Sequence, residues 1–265
     1  MKYFVVDVFT DKVFGGNPAG VCLLDAWLAD DVLQNIAAEN NLSETAFVVK
    51  SGGYYDLRWF TPFLEVDLCG HATMGSAYVL YNNVGVKEAK IEFHTKSGVL
   101  TVEKKGDTQW MDLPARPGTP ASRYESVRAA FSVNEFEMYK SADLLVVVDS
   151  AETVKNLEPD FDALSRVKAE AGMPGDDFGV IVTAPGADCD FVSRFFAPNA
   201  GIAEDPVTGR AHCVLIPYWS KRLNKKSMTA RQLSKRGGRL LCEDAGDRVK
   251  IGGKAVLYMS GEINI

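Results

Sequence analysis

Two short segments without a polar face set the terms on which this chain can fold. Residues 71–81 (HATMGSAYVLY) and 211–219 (AHCVLIPYW) read as helices that are apolar nearly all round. Such a helix must be buried on every side. Each follows a polar stretch and a glycine, and the two glycines, Gly70 and Gly209, lie 139 positions apart in a chain of 265 residues. The surrounding sequence is strand-rich, so the burial has to come from sheet. The pattern predicts an α+β fold of two pseudo-symmetric domains, each a rolled sheet around one central apolar helix.

Short β-branched or aromatic runs bounded by Gly, Asn or Pro predict strands at 2–9, 19–24, 45–50, 56–61, 89–95 and 99–104. The second half adds 144–149, 179–183, 190–196, 238–243, 248–251 and 255–260. These strands do not alternate regularly with long helices, which argues against a Rossmann-type parallel sheet. Amphipathic helices are expected at 121–131 and 161–169. Another follows Asp30 or Asp31 as cap, with Val32, Leu33, Ile36 and Ala37 on one face. The Pro-rich stretch at 113–120 marks the boundary. It gives an N-terminal domain of 1–115 and a C-terminal domain of 116–265, from which the last strand is free to return to the first.

Composition narrows the function classes. Hydrophobic residues make up 46%, enough for a packed core, and 35 acidic against 29 basic residues give a net charge of -6. Nucleic acid is not an expected partner. The run of eight Lys or Arg at 221–239 has no aromatic interleaving and reads as a solvated helix end leading into a strand. No apolar run approaches the roughly 20 residues of a membrane-spanning helix, and Asp7 and Asp11 interrupt the apolar start where a signal peptide would need continuity. Five scattered cysteines without a CxxC pair suggest neither a metal site nor a disulfide framework, so a cytoplasmic protein with reduced thiols is expected.

A glycine that opens a buried helix leaves backbone N–H groups directed at the preceding loop, and the helix dipole makes that terminus attractive to an anion. Acid–base candidates cluster near these points in sequence. Glu44 stands before a strand, His71 in the first turn of the first buried helix, and Asp205 ahead of the second. Singly, each has an ordinary alternative: a solvated carboxylate, a structural histidine, a helix cap.

Taken together, four motifs resemble the phenazine-biosynthesis isomerase-like (PhzF-like) family of the diaminopimelate-epimerase-like fold. They are Gly15-Gly16-Asn17-Pro18-Ala19-Gly20-Val21, Asn41-Leu42-Ser43-Glu44-Thr45, Asp67-Leu68-Cys69-Gly70-His71-Ala72-Thr73 and Glu204-Asp205-Pro206-Val207-Thr208-Gly209, in family order. The resemblance implies a cofactor-independent isomerase, often a homodimer, with its active site between two similar domains. It implies proton transfer at carbon by Glu44, assisted by His71 and Asp205. A small anionic substrate would be bound at Asn17, Gly70, Ala72, Gly209 and Arg210. Arg210 departs from the family pattern, which has serine there. A cation in a first turn opposes the dipole and needs an anion, whether Glu204, Asp205 or a bound carboxylate.

Two alternatives stay open. One is an amino-acid epimerase or racemase using Cys69, although Cys69 reads more readily as packing, and the second motif offers no matching thiol because Cys213 lies a turn further on. The other is a non-catalytic binding protein on the same scaffold.

Overall fold

The computed structural model describes residues 1–173 and 178–265. They divide into two compact units, Met1–Leu113 with Lys250–Ile265, and Pro114–Val249. The division falls two residues before the boundary expected from the Pro-rich stretch, and the C-terminal segment joins the first unit.

The first unit is built from β1 (Lys2–Val8), β2 (Asn17–Leu24), α1 (Asp30–Asn40), β3 (Glu44–Ser51), β4 (Tyr54–Phe60), the short β5 (Glu65–Val66), α2 (Gly70–Val79), β6 (Lys90–Thr95), β7 (Gly98–Lys105) and β8 (Thr108–Pro114). β1 and β2 are antiparallel, β2 and β3 parallel, β3 and β4 antiparallel. β4 and β6 are parallel again, and β6, β7 and β8 form a meander. Parallel neighbours need a crossover, and α1 and α2 supply the two. Leu33, Ile36 and Ala37 of α1 pack on Tyr3, Cys22, Phe47 and Phe60. The cap of α1 is Ala29, with Asp30 and Asp31 in the first turn, which corrects the expectation of an aspartate cap.

α2 lies against β1, β2, β3 and β7, so the sheet curls around it. Its own hydroxyls are satisfied internally: Thr73 Oγ1 donates to the Cys69 carbonyl at 2.6 Å and Ser76 Oγ to that of Ala72 at 2.8 Å. That lets a helix with no solvent face bury Thr73 and Ser76 with their hydroxyls paired. A π-helical turn, Leu80–Val84, extends it to Gly85.

The second unit contains β9 (Thr119–Pro120), α3 (Glu125–Phe131), β10 (Glu137–Lys140), β11 (Leu144–Val147), α4 (Ala151–Lys155), α5 (Phe161–Ala171), β12 (Val180–Pro185), β13 (Phe191–Ala197), β14 (Ile202–Asp205), α6 (His212–Leu223), β15 (Ser227–Gln232), β16 (Gly238–Asp244) and β17 (Arg248–Gly253), the last running across the division. Its pairings repeat those of the first unit. β10 and β11 are antiparallel, β11 and β12 parallel, β12 and β13 antiparallel, β13 and β15 parallel, β15 and β16 antiparallel. α4 and α5 make the outer crossover and α6 the buried one. β18 (Ala255–Glu262) then pairs with β1. The internal repeat expected from Gly70 and Gly209 is therefore a repeat of topology. Among the described residues no helix is long and apolar enough to cross a membrane.

Candidate active site

In the first unit the starts of three elements bring four side chains together. Gly16, at φ 62°, lies so close to the Val8 carbonyl that a Cβ would stand 2.1 Å from its oxygen. Only glycine fits such a close approach, and Asn17 follows it at the start of β2, fully buried. The parallel register sets Ala19 of β2 beside Glu44, the first residue of β3. His71 stands in the first turn of α2, one residue after Gly70, with Cys69 as N-cap.

His71 joins these groups. Its Nδ1 is 3.3 Å from Nδ2 of Asn17 and 3.5 Å from Sγ of Cys69, and its Nε2 is 3.3 Å from Oε2 of Glu44. Burial pushes the His71 pKa down to about 4, with the Pro18 carbonyl pulling weakly the other way. Although the Glu44 contact has ion-pair length, desolvation wins, and the imidazole is neutral near pH 7. Glu44, Cys69 and His71 each offer one metal-ligand atom within 4.8 Å of the others. The closest approaches use opposite ring nitrogens, Nδ1 toward Cys69 and Nε2 toward Glu44.

In the second unit a polar network surrounds Asp205, at the end of β14. Thr208 Oγ1 donates to Oδ2 of Asp205 at 2.5 Å. Gln232, at the end of β15 and almost wholly buried, holds both residues. Its Nε2 donates to the Asp205 carbonyl at 2.7 Å and to Thr208 Oγ1 at 3.1 Å, and its Oε1 accepts the Thr208 N–H at 2.9 Å. The result is a directed chain from amide to hydroxyl to carboxylate, in which each bond polarises the next. His212, which opens α6, places Nδ1 2.9 Å from the Thr208 carbonyl, and burial pushes its pKa down to about 4.

Arg210 has a protein anion of its own. Its NH2 and Nε contact Oδ1 and Oδ2 of Asp143 at 2.6 and 3.1 Å, and Oδ1 also accepts the Gly179 N–H at 3.0 Å. Asp143 thus supplies the anion that the sequence sought in Glu204 or Asp205. Glu204 is paired with Arg194 through contacts of 2.7 and 2.9 Å.

Of the expected site residues, Asn17, Glu44 and His71 meet in the first unit. Gly70 and Ala72 lie beside them in the first turn of α2; the Ala72 side chain is buried. Asp205, Gly209 and Arg210 belong to the second unit, the last two in the turn before α6. Sequence reasoning did not find Thr208, Gln232 or Asp143. The available signal was a glutamine at a period-2 buried position inside the basic run.

A twice-repeated rolled sheet, each half closed around a buried helix, is the fold of the epimerases. The hydroxyproline epimerase of Agrobacterium vitis shares the fold at a TM-score of 0.64 and 10% identity, over 98% of this chain and 91% of that one. The family model described as phenazine biosynthesis-like protein matches residues 6–261. The chain is 51% identical to the uncharacterized isomerase PA2770 of Pseudomonas aeruginosa, over 100% of this chain and 99% of the relative. It is also 48% identical to a crystal structure of a phenazine biosynthesis protein of the PhzF family from Enterococcus faecalis, with a TM-score of 0.94 and coverage of 100% and 99%. The chain belongs to the phenazine biosynthesis-like (PhzF) family and is an enzyme of the isomerase class.

Proposed function

We propose that this isomerase moves a proton between carbons of a small carboxylate substrate, without a cofactor, with Glu44 as general acid/base. The observation that carries the reading is the Glu44 carboxylate, 3.3 Å from a buried, neutral His71 at the mouth of α2. The Glu44 carboxylate takes a proton from one carbon, the electron pair delocalises into the adjacent unsaturated system, and the carboxyl returns a proton to a second carbon. No net oxidation occurs. His71 and Asp205 assist, Asn17 and the N–H groups of Gly70, Ala72 and Gly209 bind the substrate anion, and Arg210, its charge balanced by Asp143, flanks the Gly209 turn. A cytoplasmic homodimer belongs to the same proposal; the compartment is supported by five cysteines that are all free thiols.

The test is exchange of carbon-bound hydrogen with deuterated water, using a dihydro-hydroxyanthranilate and proline as probes. The wild type should label the dihydro acid, and Glu44→Gln should lose that labelling by at least about 100-fold, the scale of one general acid/base. Undiminished exchange in Glu44→Gln would sink the assignment. Labelling of proline alone would move the enzyme to the racemases, whose two-thiol chemistry sits poorly with Cys213, a core residue whose thiol burial pushes up to about 11.

A further inference from the structure

The two ring nitrogens of His71 differ in what meets them. Among the described residues Nε2 is buried with no hydrogen-bond partner, so the ring's bond to the Pro18 carbonyl is made at Nδ1. A carbonyl only accepts, and a neutral imidazole that gives its one proton there presents a lone pair at Nε2. The Asn17 amide, whose nitrogen lies 3.3 Å from Nδ1, meets the same N–H through its oxygen after a half-turn. A backbone carbonyl behind one nitrogen is the usual setting of a histidine that ligates a metal through the other. Nε2 looks onto Oε2 of Glu44 at 3.3 Å, and Glu44, Cys69 and His71 offer ligand atoms within 4.8 Å of one another.

We propose that Glu44, Cys69 and His71 form an inhibitory site for a divalent transition-metal ion of the zinc type. The inference rests on the reading of Glu44 as acid/base and adds what can switch it off. Oxygen and nitrogen ligands about 2.0 to 2.1 Å from a tetrahedral ion stand about 3.3 to 3.4 Å from each other. That is the separation of Glu44 Oε2 and His71 Nε2. A zinc-bound thiolate sits about 3.6 Å from such neighbours. Sγ of Cys69 now lies 3.5 Å from Nδ1 of the same ring and has to swing toward Nε2 by on the order of 1 Å. One thiolate, one imidazole and one carboxylate suit zinc or cobalt, whereas magnesium and calcium take oxygen shells.

The ion acts by competition. A carboxylate oxygen bound to it is not available to take a proton from carbon, and the thiol gives up its proton as the metal binds. The ion is thus an inhibitor of the proposed reaction and no part of its cycle. The Glu44 side chain is 13% exposed, which leaves the ion a way in.

The experiment is a calorimetric titration of the full, EDTA-treated chain with zinc chloride at about pH 7.5, paired with cobalt(II) absorption spectra. A single bound ion per chain is expected, with a thiolate-to-cobalt charge-transfer band, and magnesium chloride should give no binding heat. Cys69→Ser should abolish the band. Cys69→Ser, Glu44→Gln and His71→Gln should each weaken zinc binding at least about 100-fold, the upper end for losing even an outer-shell group. Cys189→Ser, which alters a half-buried thiol of the second unit, should change neither signal. In the wild type, zinc should suppress deuterium exchange into the dihydro acid, and EDTA should restore it. Absence of zinc uptake, or uptake undiminished in Cys69→Ser and His71→Gln, overturns the site. If His71→Gln fails to fold, Cys69→Ser and Glu44→Gln decide. Zinc held at this site with exchange undiminished overturns the inhibition. Because binding is read without turnover, the metal site stands or falls apart from the catalytic reading, which exchange in metal-free Glu44→Gln tests.

Discussion

Arg210 stands where the family resemblance leads one to expect serine, and its partner explains how the substitution is tolerated. The Asp143 side chain is 1% exposed and that of Arg210 27% exposed. Their contact is two-pronged, and the second acceptor site of Asp143 takes the Gly179 N–H. Removing one member of a buried pair leaves an uncompensated charge, which costs more than the pair itself contributes. Arg210→Ser should therefore lower unfolding free energy by roughly 3 kcal/mol in urea titrations. Asp143→Asn in the same chain should recover part of the loss, because the orphaned charge is then gone. No loss in the single variant would show that solvent or another cation replaces the guanidinium. Arg210 itself was visible in the sequence as an oddity, but its partner was not. Asp143 lies 67 residues away, and Gln232 lies 24 from Thr208. Glu44, His71 and Asp205 were legible because each sits inside a short motif. Asn17, Cys69 and Thr208 also sit in such motifs, whereas Gln232 and Asp143 come from other elements and carry no local pattern.

The element that most limits variation is α2. Gly75 faces the sheet so closely that an added Cβ would stand 3.3 Å from Cβ of Ala19 and 3.5 Å from Cγ2 of Val8. Helix propensity alone would favour replacing this glycine, but a branched side chain has nowhere to go without moving β1 or β2. Gly75→Val is expected to destabilise by about 2 kcal/mol, the usual cost of overpacking a core. Thermal unfolding measures it, and a variant as stable as the wild type would mean that α2 can move away from β2. The same closeness explains why the buried helices could be read from sequence: with sheet around them, they have no polar stripe to hide the signal. The apolar part of α6 was read as 211–219, and the helix runs on to Leu223 with Lys221 and Arg222 in its last turn, where cations suit the C-terminal dipole, as the solvated helix end expected for the start of the basic run. β15 was missed altogether. Its sequence is SMTARQ, and the positions it buries are Met228, Ala230 and Gln232. Alternation is present there, but the inward residues are flexible, small or polar, and the outward Arg231 drew the segment into the basic run.

At the scale of the molecule, the repeated topology has left each unit with a buried histidine at the start of its central helix, and both are held neutral. His71 and His212 have pKa values pushed down to about 4 from 6.5, in each case chiefly by burial. The sign of the consequence follows from proton counting. Above pH 6.5 both rings are neutral whether the chain is folded or not, so their contribution to stability is fully present. As pH falls from 6.5 toward 4 the unfolded chain binds protons that the folded chain excludes, and that contribution is lost. Each histidine should remove up to about 1.4 kcal/mol per pH unit across this window, and the two together nearly twice that. Carboxylates with ordinary pKa values titrate mostly below pH 5, so the interval from 6.5 to 5 belongs chiefly to the histidines. Urea midpoints measured from pH 8 to 5 should be flat down to about 6.5 and then fall. His212→Gln should halve the slope, because a glutamine has no proton to gain, and His71 should account for what remains. A profile without a break near 6.5 would mean that one or both rings accept a proton in the folded state, which the desolvated surroundings of His71 and His212 disfavour.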